Sequence, residues 1–282
     1  MDLAYWGFRH WPFERTFAAD RFFLTPNHEE ALARLLFLVE EFRQTGIVMG
    51  PTGSGKTFLL KRLQQRAERL GRQVVCSEAT GLDGYELISQ IAFGCHVPCD
   101  PDASAAKIWS CLNAKFAALT LVRQPLVILI DHFDLVEFSC QQTVCRLRQL
   151  ADSCGLKLTV ILATRDRIIP AALLDIVELK IDLVPWSSAE MAQFITTSIA
   201  LAGSSEILFT DEALRSLHVL TKGIPTNVVA LCNLTLLAAM GAEEKLITSE
   251  LVQAAADELP SRPGDHPAKQ RLPARLLEAA RS

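Results

Sequence analysis

The sequence predicts a three-layer, doubly wound α/β fold: a five-stranded parallel sheet covered by helices, followed by an all-helical lid. Three observations carry this. Between residues 46 and 183, short apolar runs alternate with amphipathic helical patterns, as strand–helix–strand units on a parallel sheet require. One apolar run ends in a glycine-rich loop that opens a helix. Beyond Pro185-Trp186 the strand pattern stops, and four helix-start signals follow.

Residues 1–30 form an aromatic arm, with Tyr5, Trp6, Phe8, Trp11, Phe13, Phe17, Phe22 and Phe23. So many rings need a docking surface, and the main domain is the expected one. Residues 26–30 open a helix over 31–43, where Leu32, Leu35, Leu36 and Val39 recur at helical spacing. Strands are expected at 46–49, 74–77, 126–130, 158–162 and 177–183, with helices at 56–70, 85–93, 105–121 and 141–154 between them. The run Leu126-Val127-Ile128-Leu129-Ile130 is wholly apolar, which suits a strand covered on both faces. Residues 177–183 alternate and read as an edge strand. The expected units are therefore the arm, an α/β core at 31–185, a helical lid at 186–258 and a mobile polar tail at 259–282. Leu231, Leu234, Leu237 and Ala238 are read as lid core.

Composition narrows the function classes. The chain has 282 residues, 50% of them hydrophobic, and a net charge of −4. It can bury a large core, and it is not a strongly basic nucleic-acid binder. No apolar run approaches the ~20 residues that span a bilayer, and no basic, apolar leader opens the chain, so a cytoplasmic protein is expected. The eight cysteines are expected to be reduced and structural. Cys95-His96-Val97-Pro98-Cys99 has the look of half a metal knuckle but lacks a second pair at zinc-finger distance.

The chemistry lies at Gly50-Pro51-Thr52-Gly53-Ser54-Gly55-Lys56-Thr57, which matches the phosphate-binding loop pattern in full. Glycines let successive N–H groups turn toward phosphate oxygens, and the following helix adds its positive end. The Lys56 ammonium is expected on the β- and γ-phosphates of ATP, and the Thr57 hydroxyl on Mg²⁺. Phe58 completes the expected nucleotide-contacting set. Asp131, at the end of a buried strand, is the expected second support for Mg²⁺. A hydrolytic enzyme of this kind usually places a carboxylate next, to orient the attacking water. Here that residue is His132, and Asp134 substitutes only if the backbone turns. Thr164, at the end of the fourth strand, reads equally as a γ-phosphate contact and as a loop residue. For Arg165 and Arg167 a solvated loop is the leading reading over nucleotide sensing.

At this point the chain resembles the AAA+ ATPases of the ExeA type, the general secretion pathway protein A group, with the TniB and TnsC kind of transposition ATPases nearby. The resemblance rests on Tyr5-Trp6-Gly7-Phe8 with Pro12-Phe13, on residues 21–32, on the phosphate loop, and on Thr221-Lys222-Gly223-Ile224-Pro225-Thr226-Asn227. It covers about residues 1–258. It implies a five-stranded ATPase core, a helical lid with nucleotide between them, and ring or filament assembly. Four departures stand out. His132 replaces the usual carboxylate, and Thr226 replaces the arginine that usually follows the lid proline. The arginines usual before the fifth strand are absent, since that segment is Leu174-Asp175-Ile176-Val177-Glu178. The membrane helix and cell-wall-binding region of the secretion members are not found, the chain ending in a short polar tail.

The expected function is an ATP-binding regulator or assembly factor, slow in hydrolysis or dependent on a partner for it. Its expected partners are itself or an AAA+ subunit and a protein client. A nucleotide-gated scaffold without turnover is the alternative, and a DNA-associated transposition regulator the third reading. Arg62, Arg66 and Arg69 share a helix face, which reads as solvated in preference to DNA-binding.

Overall fold

The computed structural model describes residues 3–13, 23, 25–98, 100, 102–165 and 169–258. The tail at 259–282, Phe17, Phe22, Cys99 and Arg167 lie outside the described residues. In chain order the helices are α1 (Leu3–Trp6), α2 (Pro26–Glu40), α3 (Lys56–Arg69), α4 (Gly84–Gly94), α5 (Ala105–Leu121), α6 (Phe138–Cys154), α7 (Ser188–Leu201), α8 (Asp211–Thr221), α9 (Pro225–Gly241) and α10 (Ser249–Asp257). The strands are β1 (Thr45–Met49), β2 (Gln73–Glu78), β3 (Leu126–Asp131), β4 (Leu158–Thr164) and β5 (Leu179–Asp182).

All strand pairs are parallel, in the order β2-β3-β4-β1-β5. The expected five-stranded, doubly wound sheet is therefore present. β1, β3 and β4 are buried along their whole length, which is why they read as unbroken apolar runs. β5 is shorter than the expected 177–183 and is partly exposed, as an edge strand tolerates. One apolar layer sets α4, α5 and α6 against the sheet through Leu87, Ile91, Leu112, Phe116, Val144 and Leu147. The other sets α2 and α3 there through Leu35, Leu38, Val39, Leu59 and Leu63. Gly46 lets α2 approach β1, because a Cβ there would sit 2.6 Å from Leu38 Cδ1.

Local signals start the helices. Thr25 caps α2, with Pro26 at its first position. Asp83 with Glu86 and Ser187 with Glu190 form reciprocal capping boxes ahead of α4 and α7. α7 to α10 build a separate apolar cluster around Met191, Leu217, Leu231 and Leu236.

The arm corrects one expectation. Trp6, Phe8, Trp11 and Phe13 are buried with α7 to α10, not against the sheet. The sheet's two faces are already covered by helices, so the rings fill the remaining apolar surface, on the helical part. Trp11 Nε1 donates to Asn233 Oδ1, and Asn233 Nδ2 donates to the Phe13 carbonyl at 2.8 Å. Arg9 N donates to the Ala202 carbonyl at 2.7 Å, and Lys245 Nζ lies 3.6 Å from the Tyr5 ring centroid.

Candidate phosphate-binding site

β1 delivers the chain to residue 50 at the carboxyl edge of the sheet, and α3 leaves from Lys56. Three glycines make the turn. A Cβ on Gly50 would meet the Leu183 carbonyl and Ser54 Oγ, both at 2.8 Å. Gly53 and Gly55 have φ of 85° and 99°, in the left-handed region that side chains disfavour. Lys56 is only 7% exposed. Its Nζ donates to the carbonyls of Gly50 at 2.8 Å and Pro51 at 3.0 Å. Burial lowers the Lys56 pKa, opposed by the nearby carboxylates of Asp131 and Asp134. Ser54 Oγ is buried and makes no hydrogen bond within the protein. Thr57 is half-buried in the first turn of α3, and Phe58 buries its ring with the Arg62 guanidinium above it. Thr52 is exposed at the loop tip.

Asp131 closes β3 and is almost wholly buried, its Oδ1 accepting from His132 N at 2.8 Å. Thr164 ends β4 and is buried one register from the loop, with Gly50 N donating to its carbonyl at 3.3 Å. The sheet thus gathers Lys56, Asp131 and Thr164, which lie far apart in sequence, at one edge.

Position 132 behaves unlike a strand end. His132 has φ 55° and ψ 36°, and a 3-10 turn over Phe133–Leu135 follows. The backbone does turn, and it drives the Asp134 side chain inward to 1% exposure. Asp134 does not become a free carboxylate. Its Oδ1 accepts from Arg165 N at 2.9 Å, and its Oδ2 from Arg165 Nε. Burial raises the Asp134 pKa, but the bonds and charge of Arg165 outweigh it and hold the carboxyl below its usual value. Arg165 is thus an exposed loop residue, as expected, but one that is paired with Asp134. His132 Nε2 stands 3.9 Å from Asp131 Oδ2, half-exposed.

Two contacts were invisible in the sequence. The N-terminus of α9 rests on the loop, where Thr226 N and Oγ1 both lie 3.4 Å from the Gly53 carbonyl. Just before α9, Gly223 packs against Trp186, where a Cβ would sit 2.1 Å from the Trp186 carbonyl. From the other side the buried His28 ring reaches the Ser54 carbonyl at 2.9 Å. His28 sits within the arm-to-helix motif, but nothing in its type or spacing marks it as touching the loop. Among the described residues, no group of three or more His, Cys, Asp or Glu is arranged to hold a metal ion. Cys95 is buried and its thiol is pushed up to about 11, so it is not a reactive thiolate. No helix among the described residues is long and apolar enough to cross a membrane.

A family model described as an AAA domain matches residues 40–167. Over 263 residues the chain is 21% identical to general secretion pathway protein A of Aeromonas hydrophila. The alignment takes in 90% of this chain and 48% of that protein, so the chain spans about half the length of the curated relative it matches. Among solved structures, it is similar to Cdc6p of Pyrobaculum aerophilum at TM-score 0.68 and 17% identity, over 92% of this chain and 71% of that one. The ORC1 protein of Aeropyrum pernix in complex with DNA gives 0.66 and 19%, over 89% and 69%. The RuvB Holliday junction branch migration motor of Thermotoga maritima gives 0.54 and 14%, over 87% and 72%. At such identities the structural likeness shows the fold. The resemblance to AAA+ ATPases of the ExeA type is met by the family match and the secretion-protein relative together.

Proposed function

We propose that this chain is an AAA+-type regulator or assembly factor that binds Mg-ATP in the loop at residues 50–57 and hydrolyses it slowly, or only with a partner's groups. The observation that carries the binding half is the loop itself. It combines left-handed backbone at Gly53 and Gly55, a buried Ser54 hydroxyl with no protein partner, and the buried Lys56 ammonium. These fit a polyphosphate. Lys56 would hold the β- and γ-phosphates, Thr57 and Asp131 the Mg²⁺, and Thr164 the γ-phosphate or the water near it. The ion supplies charge neutralisation on the phosphates when bound. Residues 186–258 act as the lid, with core residues 31–185 below.

Slow hydrolysis follows from the carboxylates. Asp131 is assigned to the metal, His132 is not a carboxylate, and Asp134 is committed to Arg165. No carboxylate among these three is left to orient a water. The test is phosphate release across a wide protein concentration range, with wild type and His132→Glu. A low basal rate that His132→Glu raises supports the proposal; ordinary AAA+ turnover by the wild type sinks it. The same geometry also suits a nucleotide-gated scaffold, which would show binding and an ATP-dependent change in assembly with no phosphate release. Arg62 and Arg72 engage the Phe58 and Phe42 rings, which favours a packing role for these two over DNA contact. ATP-dependent, salt-sensitive DNA binding would instead support the regulator of transposition.

A further inference from the structure

His28 has no role in the site as assigned so far, yet it is 0% exposed beside the phosphate loop. Its Nε2 lies 2.9 Å from the Ser54 carbonyl, an acceptor, so Nε2 carries the proton. Nδ1 is then the acceptor, and the Thr25 hydroxyl donates to it at 2.7 Å. A relay runs from the cap of α2 through the imidazole to the loop. In a trans peptide the C=O and the next N–H point opposite ways. Fixing the Ser54 carbonyl on His28 therefore aims the Gly55 N–H at the opposite face, away from α2. Thr226 holds the preceding carbonyl, that of Gly53, from α9. Two helices thus grip consecutive peptide units of the loop.

Described residues of the N-terminal segment touch the helical part as well. Asn233 of α9 bonds both Trp11 and Phe13. Phe23, two residues before Thr25, packs edge-on against Trp186 with ring centroids 6.0 Å apart. The N-terminal segment is therefore anchored on the helical part at one end and on the loop at the other.

We propose that His28 is a positioning residue of the phosphate loop, which sets nucleotide affinity through the Ser54 carbonyl it holds. This rests on the reading of the loop as an ATP site. The experiment is calorimetric titration of Mg-ATP into the full chain. His28→Leu fills the space without a donor, and His28→Gln restores one. Expected is a loss of about tenfold or more in affinity for His28→Leu, the size of one hydrogen-bonded contact, and recovery to within about threefold for His28→Gln. Wild-type affinity in His28→Leu overturns the inference and leaves the ATP site standing. Failure of the wild-type chain to bind Mg-ATP overturns both. If His28→Leu does not fold, Thr25→Val takes its place, with Thr25→Ser as the rescue.

Discussion

Gly53→Ala perturbs the point where the phosphate loop meets α9. Two terms set its magnitude. With φ at 85°, an alanine occupies the left-handed region at a cost of about 1–2 kcal/mol. The added Cβ would also lie 1.8 Å from Thr226 Oγ1, 3.0 Å from Thr226 Cβ and 3.2 Å from Ile224 Cγ2. Overpacking in a fixed site costs about 1–3 kcal/mol. Here it is capped by the ease of moving α9, since both Thr226 contacts with the Gly53 carbonyl are long at 3.4 Å. Such bonds are worth below about 1 kcal/mol each, so displacement limits the clash to about 2 kcal/mol. The total expected loss is about 2–4 kcal/mol in urea unfolding followed by circular dichroism, a large share of a typical domain's stability. Thr226→Ala alone should cost under about 1 kcal/mol. Added to Gly53→Ala it should return the part due to the hydroxyl, and the backbone part should remain. A wild-type midpoint for Gly53→Ala would refute the left-handed loop and the α9 contact together. Additive losses in the double variant would refute Thr226 as the source of the clash.

Other perturbations test the site's charges. Lys56→Met should abolish Mg-ATP binding in calorimetry while shifting the urea midpoint little, because relief of the buried charge is offset by loss of its bonds to the Gly50 and Pro51 carbonyls. Asp134→Asn should cost about 1–2 kcal/mol, kept small because Arg165 is 46% exposed, and it should release Arg165 to faster proteolysis or exchange. The Asp134 carboxyl is held low, so its stabilisation is present above the ordinary carboxylate value and is lost as pH falls through the lowered one. For His28, burial lowers the pKa, opposed by the Ser54 bond and Glu190. Folding then favours neutral imidazole, and stability should decline as pH drops below about 6.5 toward the lowered value. Urea midpoints at about pH 7.5 and about pH 5.5 should differ less in His28→Gln than in wild type.

Much of the core was readable because its signals are local. The central strands β1, β3 and β4 are covered on both faces and carry apolar residues without interruption. The loop glycines are dictated by backbone angles and close approach that only glycine meets. The capping residue Ser187 marks a helix start three residues ahead of its partner Glu190. β5 was overestimated at both ends because alternation says nothing about where pairing stops, and β5 pairs only with β1. The fate of Asp134 depended on one backbone angle at His132, and side-chain chemistry does not fix that.

The sequence by itself determined the parallel sheet, the phosphate loop, and the placement of Asp131 and Thr164 at strand ends, since each follows from short-range pattern and glycine geometry. It also determined that position 132 carries no carboxylate. Tertiary structure alone decided what surrounds the loop. The aromatic arm lies on the helical part because that is where apolar surface was left uncovered, Asp134 is bound to Arg165, and His28 and Thr226 hold neighbouring loop carbonyls. Those contacts join residues from 26 to 222 positions apart, where no periodicity or motif carries the information and only packing brings the partners together.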